Sequence, residues 1–399
     1  MSAPIPADQV NVSSTLASPH IRMERGATDR LVPIDSIPVQ DWSALAAHAI
    51  EPNACYLPDW ALGVARHARG RGDALALAAF GDADARRLVG LMPVRWAARA
   101  LQLPVPLLVS WNAYAPYSAP LLDRDHAVDA AAHLIKAARQ SGARALLLQT
   151  VPTEGPAWEA LLTALQRRHL QAEPLRSFRR AGLDATQDPE VVLREALSGK
   201  KLKELRRQRN RLEDAGPLHF DVASAPDEVG VALEAFLALE AKGWKGERGT
   251  ALIQHPGDAA FIRQAAGALA ARGHFQVASL NRNGKPLAAG LILRDGGRAF
   301  FFKIAMDETE ARMSPGVQLT LDLTRYLCAD PAISFADSTA DGEHPMIDHI
   351  WRERIPIADV FVPLHPRDPY ASAIRALIVA RYRALDLART LRRIKEKLR

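Results

Sequence analysis

Between Phe275 and Gly342 the chain reads apolar run, turn, apolar run, turn, aromatic run, loop, helix start, helix and a last apolar run, and any fold must accommodate that order. FQVASLN and KPLAAGLIL flank the cluster Asn281-Arg282-Asn283-Gly284. Asn-Gly between two such runs marks a tight hairpin, because the favoured two-residue turn needs positive φ at both central positions. These two strands are therefore expected to be antiparallel neighbours. A second turn, Arg294-Asp295-Gly296-Gly297, leads into AFFFKIAM, whose aromatic content suits a strand buried on both faces better than a short helix. After ETEARM the pattern changes at Ser314-Pro315-Gly316, and Leu319, Leu321, Leu323, Tyr326 and Leu327 can share one broad side of a helix. Ser314 is expected to cap that helix and Pro315 to open it, since the missing proline N–H is one the first turn leaves unpaired anyway. Gly316, Val317 and Gln318 would then offer backbone N–H groups at the positive end of the helix dipole, with no side chain on Gly316 to bar an anion.

This order resembles the GNAT acyltransferase superfamily, specifically its tandem-repeat branch, the CelD-like acetyltransferases related to the Fem-type peptidoglycan aminoacyltransferases. KKLKELRRQRNRLEDAG, EAKGWKGERGTAL, GHFQVASLNRNGKPLAAGLIL, ARMSPGVQLTLDLTRYL and ISFADSTADG carry the resemblance, with weaker matches in NACYLPDW and LVGLMPVRW. The resemblance implies direct attack by an amine or hydroxyl on an activated acyl group, with no covalent enzyme intermediate and no metal. The donor would be acetyl-CoA or another acyl-CoA. Its pyrophosphate would lie on the loop holding Arg312, Ser314, Gly316, Val317 and Gln318, although the Arg-x-x-Gly-x-Gly spacing of the superfamily is not kept. Its acyl carbonyl would lie beside Lys303, Ile304 and Ala305. For the catalytic base the candidates are Asp337, Asp341, Glu343 and His344, with Asp337 foremost because it ends an apolar strand; each of them taken alone also suits a solvated loop charge.

The chain has 399 residues and 48% hydrophobic content, enough to fill two cores. No apolar run is long enough to cross a bilayer, and the start, with its prolines and aspartate, reads as a disordered leader over residues 1–30. Cys55 and Cys328 are too few and too far apart for a disulfide framework, so a reducing cytoplasm is the expected compartment. The net charge of +6 is unevenly placed: Arg375 to Arg399 alone carries a local +7. Nucleic-acid binders more often spread such charge over a folded face, which argues against one here.

Earlier in the chain, the same element order recurs. LVPI, LALAAF, RRLVGLMPVRW and PVPLLVSW read as strands, HAVDAAAHLIKAARQSG as a helix and ALLLQTV as the strand after it; DWSALAAHAI reads as a first helix with Asp41 at its cap. Gly90 of LVGLMPV and Gly290 of LAAGLIL hold the same place in each half. The simplest account is an α/β protein of two tandem GNAT-like units, with mixed, mostly antiparallel central sheets flanked by helices. The expected divisions are 31–182 for a degenerate acceptor-side unit, 183–365 for the acyltransferase unit and 366–399 for a basic amphipathic helix opened by Asp368-Pro369. That last helix suits packing on its own domain, with an anionic membrane surface or a partner as alternatives. Pro152 to Gly182 reads as a helix and a proline-broken connection, and EHPMIDHIWRERI as a short irregular helix before the strand ADVFVPL.

Acceptor contacts are expected from Trp111, Asn112, Tyr114 and Tyr117 in SWNAYAPYSAPLL, or these rings are simply buried in a proline-rich turn. Trp244, in the glycine-punctuated loop KGWKGERGT, is either a core plug or a substrate-binding platform, and stands among the candidate substrate-binding residues. The basic helix from Lys200 to Arg211 is a solvated face or reaches acidic groups of donor or acceptor through Lys201, Arg206 or Arg209. No Gly-x-Ser-x-Gly elbow, phosphate-binding Gly-x-x-x-x-Gly-Lys loop or dinucleotide glycine fingerprint is present, and His344, His349 and Asp348 lack further ligands for zinc. The resulting expectation is an acyl-CoA-dependent N- or O-acyltransferase for a small-molecule or glycan acceptor, in polysaccharide or cell-envelope biosynthesis. Its rivals are a Fem-type transferase using aminoacyl-tRNA and a non-catalytic scaffold of an envelope-polysaccharide system.

Overall fold

The computed structural model describes residues 29–69, 73–81, 87–111 and 114–397, with side chains as far as Leu391. In chain order the strands are β1 (Arg30–Pro33), β2 (Leu75–Phe80), β3 (Leu88–Trp96), β4 (Leu107–Ser110), β5 (Leu121–Leu122), β6 (Ala145–Pro152), β7 (Glu173–Asp184), β8 (Leu218–Ala223), β9 (Phe275–Arg282), β10 (Lys285–Asp295), β11 (Arg298–Met306), β12 (Phe335–Asp337) and β13 (Glu353–Pro363). The helices are α1 (Val39–Ala47), α2 (Pro58–His67), α3 (Ala97–Ala100), α4 (Ala127–Gln140), α5 (Pro156–Gln166), α6 (Pro189–Ala196), α7 (Gly199–Asp214), α8 (Pro226–Lys242), α9 (Trp244–Glu247), α10 (Pro256–Ala270), α11 (Pro315–Ala329) and α12 (Pro369–Lys397).

The local chemistry of the opening stretch holds. Asn283 and Gly284 take φ of 52° and 74°, and Arg282 pairs with Lys285 across that turn. Proline opens α2, α5, α6, α8, α10 and α11, where it sacrifices no helical hydrogen bond. Asp368 accepts the Tyr370 N–H at 3.0 Å and so caps α12 as its sequence suggests.

All strands form one sheet in the order β1-β2-β3-β4-β6-β13-β7-β12-β11-β10-β9-β8, with β5 on the side of β3. Read inward from either end, the order describes the same unit twice. Four antiparallel strands in each half lead to a parallel pair, β4 with β6 in one and β11 with β12 in the other. The sixth strands are exchanged: β13 completes the first half against β6, β7 completes the second against β12, and the two pair with each other in the middle. The division expected at 182/183 therefore falls inside a strand. Gly90 and Gly290 sit on the equivalent strands β3 and β10; a Cβ added at Gly90 would press on Ala79 and on Leu134 of α4, and one at Gly290 would collide with the Phe301 ring and touch Leu319 of α11.

One apolar core runs through both units where α2 meets α10, a second lies under α6, α7 and α11, and a third lies between α12 and strands β4, β6 and β13. Two readings of the sequence change. The chain from Glu173 to Asp184 is a long central strand rather than a connection, and Glu353 to Ile355 begins β13 rather than ending a helix. Clustered arginines hid the strand period in both: Arg180 is buried among polar partners, Arg176 is half-buried over the Tyr382 ring, and Arg179 lies at the surface. Asp41 lies in the first turn of α1, whose cap position is Pro38.

On α12, Ala371, Ile374, Ile378 and Tyr382 are buried against the sheet. A second apolar stripe, Ala380, Ala384, Leu387 and Leu391, is two residues out of phase and so lies on the far side of the helix. Leu387 and Leu391 are 62% and 57% exposed.

Candidate functional site

Strands β11 and β12 stay paired only from Arg298–Phe335 to Phe300–Asp337. Beyond that point β12 ends and β11 continues for six more residues. At the same place β11 bulges: Phe301 faces Ile292, Lys303 faces Leu291, and Phe302 is left over. An extra residue increases local twist and turns an edge away from its neighbour. Past Phe301, whose carbonyl accepts from the Thr339 hydroxyl at 2.8 Å, the edge of β11 as far as Met306 has no strand beside it among the described residues and lies next to the start of α11.

The helix start differs in detail from the expectation. Ser314 sits in the left-handed region at φ 52°, ψ 53°, and its side chain makes no capping bond; its carbonyl accepts the Gln318 N–H at 3.0 Å. The helix itself gives the Gly316 and Val317 N–H groups no partner. Gly316 is buried, with Met306, Ile304 and Met346 packed around it, the nearest atom 3.3 Å from where a Cβ would be. Gln318 is also buried, and its amide donates to the Leu205 carbonyl of α7 at 2.9 Å, so its side chain is a strut rather than a ligand contact. Arg312 is exposed, and its carbonyl accepts from Gln208 of α7. The basic helix is thereby fixed against the loop that precedes α11, with Lys200, Lys201, Lys203, Arg206, Arg207 and Arg211 exposed.

Opposite α11, a charge cluster faces the open edge. Glu240, in the last turn of α8, is fully buried and accepts from the Leu252 N–H at 2.8 Å and from Lys303 Nζ at 2.8 Å. Lys245 Nζ lies 3.4 Å from the same carboxylate and donates to the Ile304 carbonyl at 2.9 Å. Burial works against charge on Glu240, but Lys303, the Leu252 N–H and Lys245 together hold its carboxyl below the usual range. Burial, then the Lys303 charge, pulls the Lys245 ammonium below the ordinary lysine value against the opposing pull of Glu240. The loop that carries Lys245 is pinned by Glu308, which accepts the Trp244 N–H at 2.7 Å. Trp244 itself is 47% exposed and carries Arg248 over its ring, so it is not a core plug.

Asp337 is not available as a base. It is fully buried, bonded to the equally buried Arg180 at 2.6 Å, and accepts the Thr339 N–H at 2.8 Å. Arg180 also donates to the Pro116 carbonyl at 2.7 Å, which ties the two units together. Asp341 and Glu343 are exposed on the loop beyond, and His344 Nδ1 accepts from the Met346 N–H, holding that loop's turn. The aromatic loop of the first unit divides. Trp111 and Tyr117 are buried; Tyr117 bonds Glu51 and Arg298 within the interface between units, and burial raises its phenol. Tyr114 packs on Phe261 and on the bulge residue Phe302; Asn112 lies outside the described residues. Glu240, Phe302 and Arg180 were not foreseen as site or interface residues, and Lys245 only as part of a loop able to fold over a ligand.

A splayed parallel pair, a bulged strand and a helix start at the opening define a GNAT-type fold. Residues 199–343 match the family described as acetyltransferase (GNAT) domain. Solved structures of low identity share the fold over most of the chain. A domain described as the C-terminal part of a lysylphosphatidylglycerol synthetase from Agrobacterium fabrum superposes with a TM-score of 0.54 at 13% identity, covering 86% of this chain and 95% of that one. A conserved protein of unknown function from Bacteroides thetaiotaomicron gives 0.52 at 15% identity, with 82% and 97% covered, and FemX gives 0.51 at 10%, with 82% and 96% covered. No curated protein sequence matches the chain.

Proposed function

We propose that the protein moves an acyl group from acetyl-CoA or another acyl-CoA to an amine or hydroxyl of a polar small-molecule or glycan acceptor. The observation that carries this reading is the opened backbone edge of β11 beside the side-chain-free Gly316 at the start of α11. A thioester laid along that edge would find peptide groups for its carbonyl and its amides, and its phosphates would meet the Gly316 and Val317 N–H groups. Tyr114 and Phe302 would wall the acceptor side. The test is thermal unfolding with and without acetyl-CoA and a longer acyl-CoA. Ligand at about a hundred times its dissociation constant stabilises by roughly 2.7 kcal/mol, a shift of several degrees. The shift is expected in the parent and absent in Gly316→Glu; no shift with either thioester would overturn the reading.

A second reading, aminoacyl-tRNA as donor in the manner of Fem-type enzymes, is favoured by the exposed basic face of α7 fixed against the loop before α11. Activity that disappears on ribonuclease treatment would select it. The far stripe of α12, with Arg381 and Arg383 on either side of it, suits peripheral contact with an anionic lipid surface. A second copy fits less well, since it would bring like charges together.

A further inference from the structure

A transfer of this kind needs a group to take the proton from the attacking amine or hydroxyl, and the carboxylate best placed in sequence, Asp337, is used up by Arg180. We propose that Lys245 is that group. The proposal rests on the functional reading above, because it places the acyl carbonyl along the same strand edge. Lys245 Nζ is bonded to the Ile304 carbonyl at 2.9 Å, so it sits on the open edge itself, and its side chain keeps 20% exposure, enough for an acceptor to reach it. Asp341 and Glu343 stand exposed on their loop, and the His344 Nδ1 lone pair is occupied by a backbone N–H.

The cluster also works against a proton on Lys245. Two ammonium groups share one buried carboxylate, and Lys303 holds it at 2.8 Å against 3.4 Å for Lys245. Two ammonium groups against one carboxylate in a largely shielded place disfavour the second proton, and burial and the Lys303 charge pull the Lys245 ammonium down. The groups facing it are Glu240 from α8, Lys303 and the Ile304 carbonyl from β11, and the ring of Trp244, 5.8 Å from Nζ and shared with Arg248; Glu308 accepts the Trp244 N–H. In the reaction the Lys245 lone pair takes the proton as the acceptor nitrogen or oxygen bonds to the thioester carbon. The tetrahedral adduct then expels the thiolate, and the proton on Lys245 passes to the sulfur, giving the acylated acceptor and free thiol.

Two measurements test this. In protein whose lysines carry reductively added ¹³C-methyl groups, the resonance lost in Lys245→Arg should titrate below the other lysines. Its midpoint should fall further in Glu240→Gln and rise in Lys303→Met; a midpoint among the other lysines, unmoved by either change, overturns the proposal whether or not the protein binds a thioester. Where acetyl-CoA supports turnover, Lys245→Met should lower kcat/KM by about 10²- to 10⁴-fold, with the rise of rate with pH lost. The rise should move to lower pH in Glu240→Gln and to higher pH in Lys303→Met, displacements in opposite directions that a structural role would not produce. A folded Lys245→Met protein that keeps the parent's rate and pH profile overturns the proposal and leaves the acyltransferase reading intact.

Discussion

Asp337 and Arg180 form a pair with side chains 0% and 1% exposed; each makes one further hydrogen bond, to the Thr339 N–H and the Pro116 carbonyl, while Arg180 Nε is left without a partner among the described residues. Removing one partner of such a pair leaves an uncompensated charge in the interior, at a cost of about 3–5 kcal/mol. Asp337→Ala is therefore expected to lower the denaturant midpoint strongly, with far less effect from Asp341→Ala on its exposed loop. A stable Asp337→Ala protein that had lost only activity would contradict the structural assignment. The sequence made Asp337 conspicuous for a sound reason, a carboxylate closing an apolar strand, yet the purpose it serves is set by a partner on β7, remote in sequence. Lys245 had no such signal. Its role depends on Glu240 and on the Ile304 carbonyl, and only the folded arrangement brings these together.

At the scale of elements, what was legible was what neighbours in sequence decide: the Asn283-Gly284 hairpin, the proline-led helix starts, and the change from strand to helix at Pro315. The capping geometry of Ser314 was not, because a left-handed backbone takes its hydroxyl away from the first turn. For α12 the sequence offered several uses at once, and the structure separates them by face. Its inner stripe is consumed by the sheet, and its outer stripe ends among arginines. Binding to phosphatidylglycerol vesicles but not to phosphatidylcholine vesicles is the expected result in a sedimentation assay, with loss of binding in Leu387→Asp/Leu391→Asp and an unchanged melting temperature. Concentration-dependent dimerisation lost in the same variant would assign the stripe to a second copy instead.

Across the whole molecule, the repeat was readable from element order, but the exchange of β7 and β13 was not, since nothing local tells a strand which of two equivalent edges to join. A fragment ending at residue 182 should consequently fail to show a cooperative unfolding transition, because the β6 edge would lie bare; circular dichroism during denaturant titration would show this. The exchange also sets a schedule for synthesis. Val360 closes on Leu148, so the first half emerges from the ribosome with an unsatisfied edge and keeps it until the second half has almost been made. Throughout that interval the edge of β6 is a template for any strand that passes, including one from another nascent chain. Such a chain is most exposed to mispairing just before β13 emerges, so slowing translation ahead of β13 should lower its yield more than slowing it after.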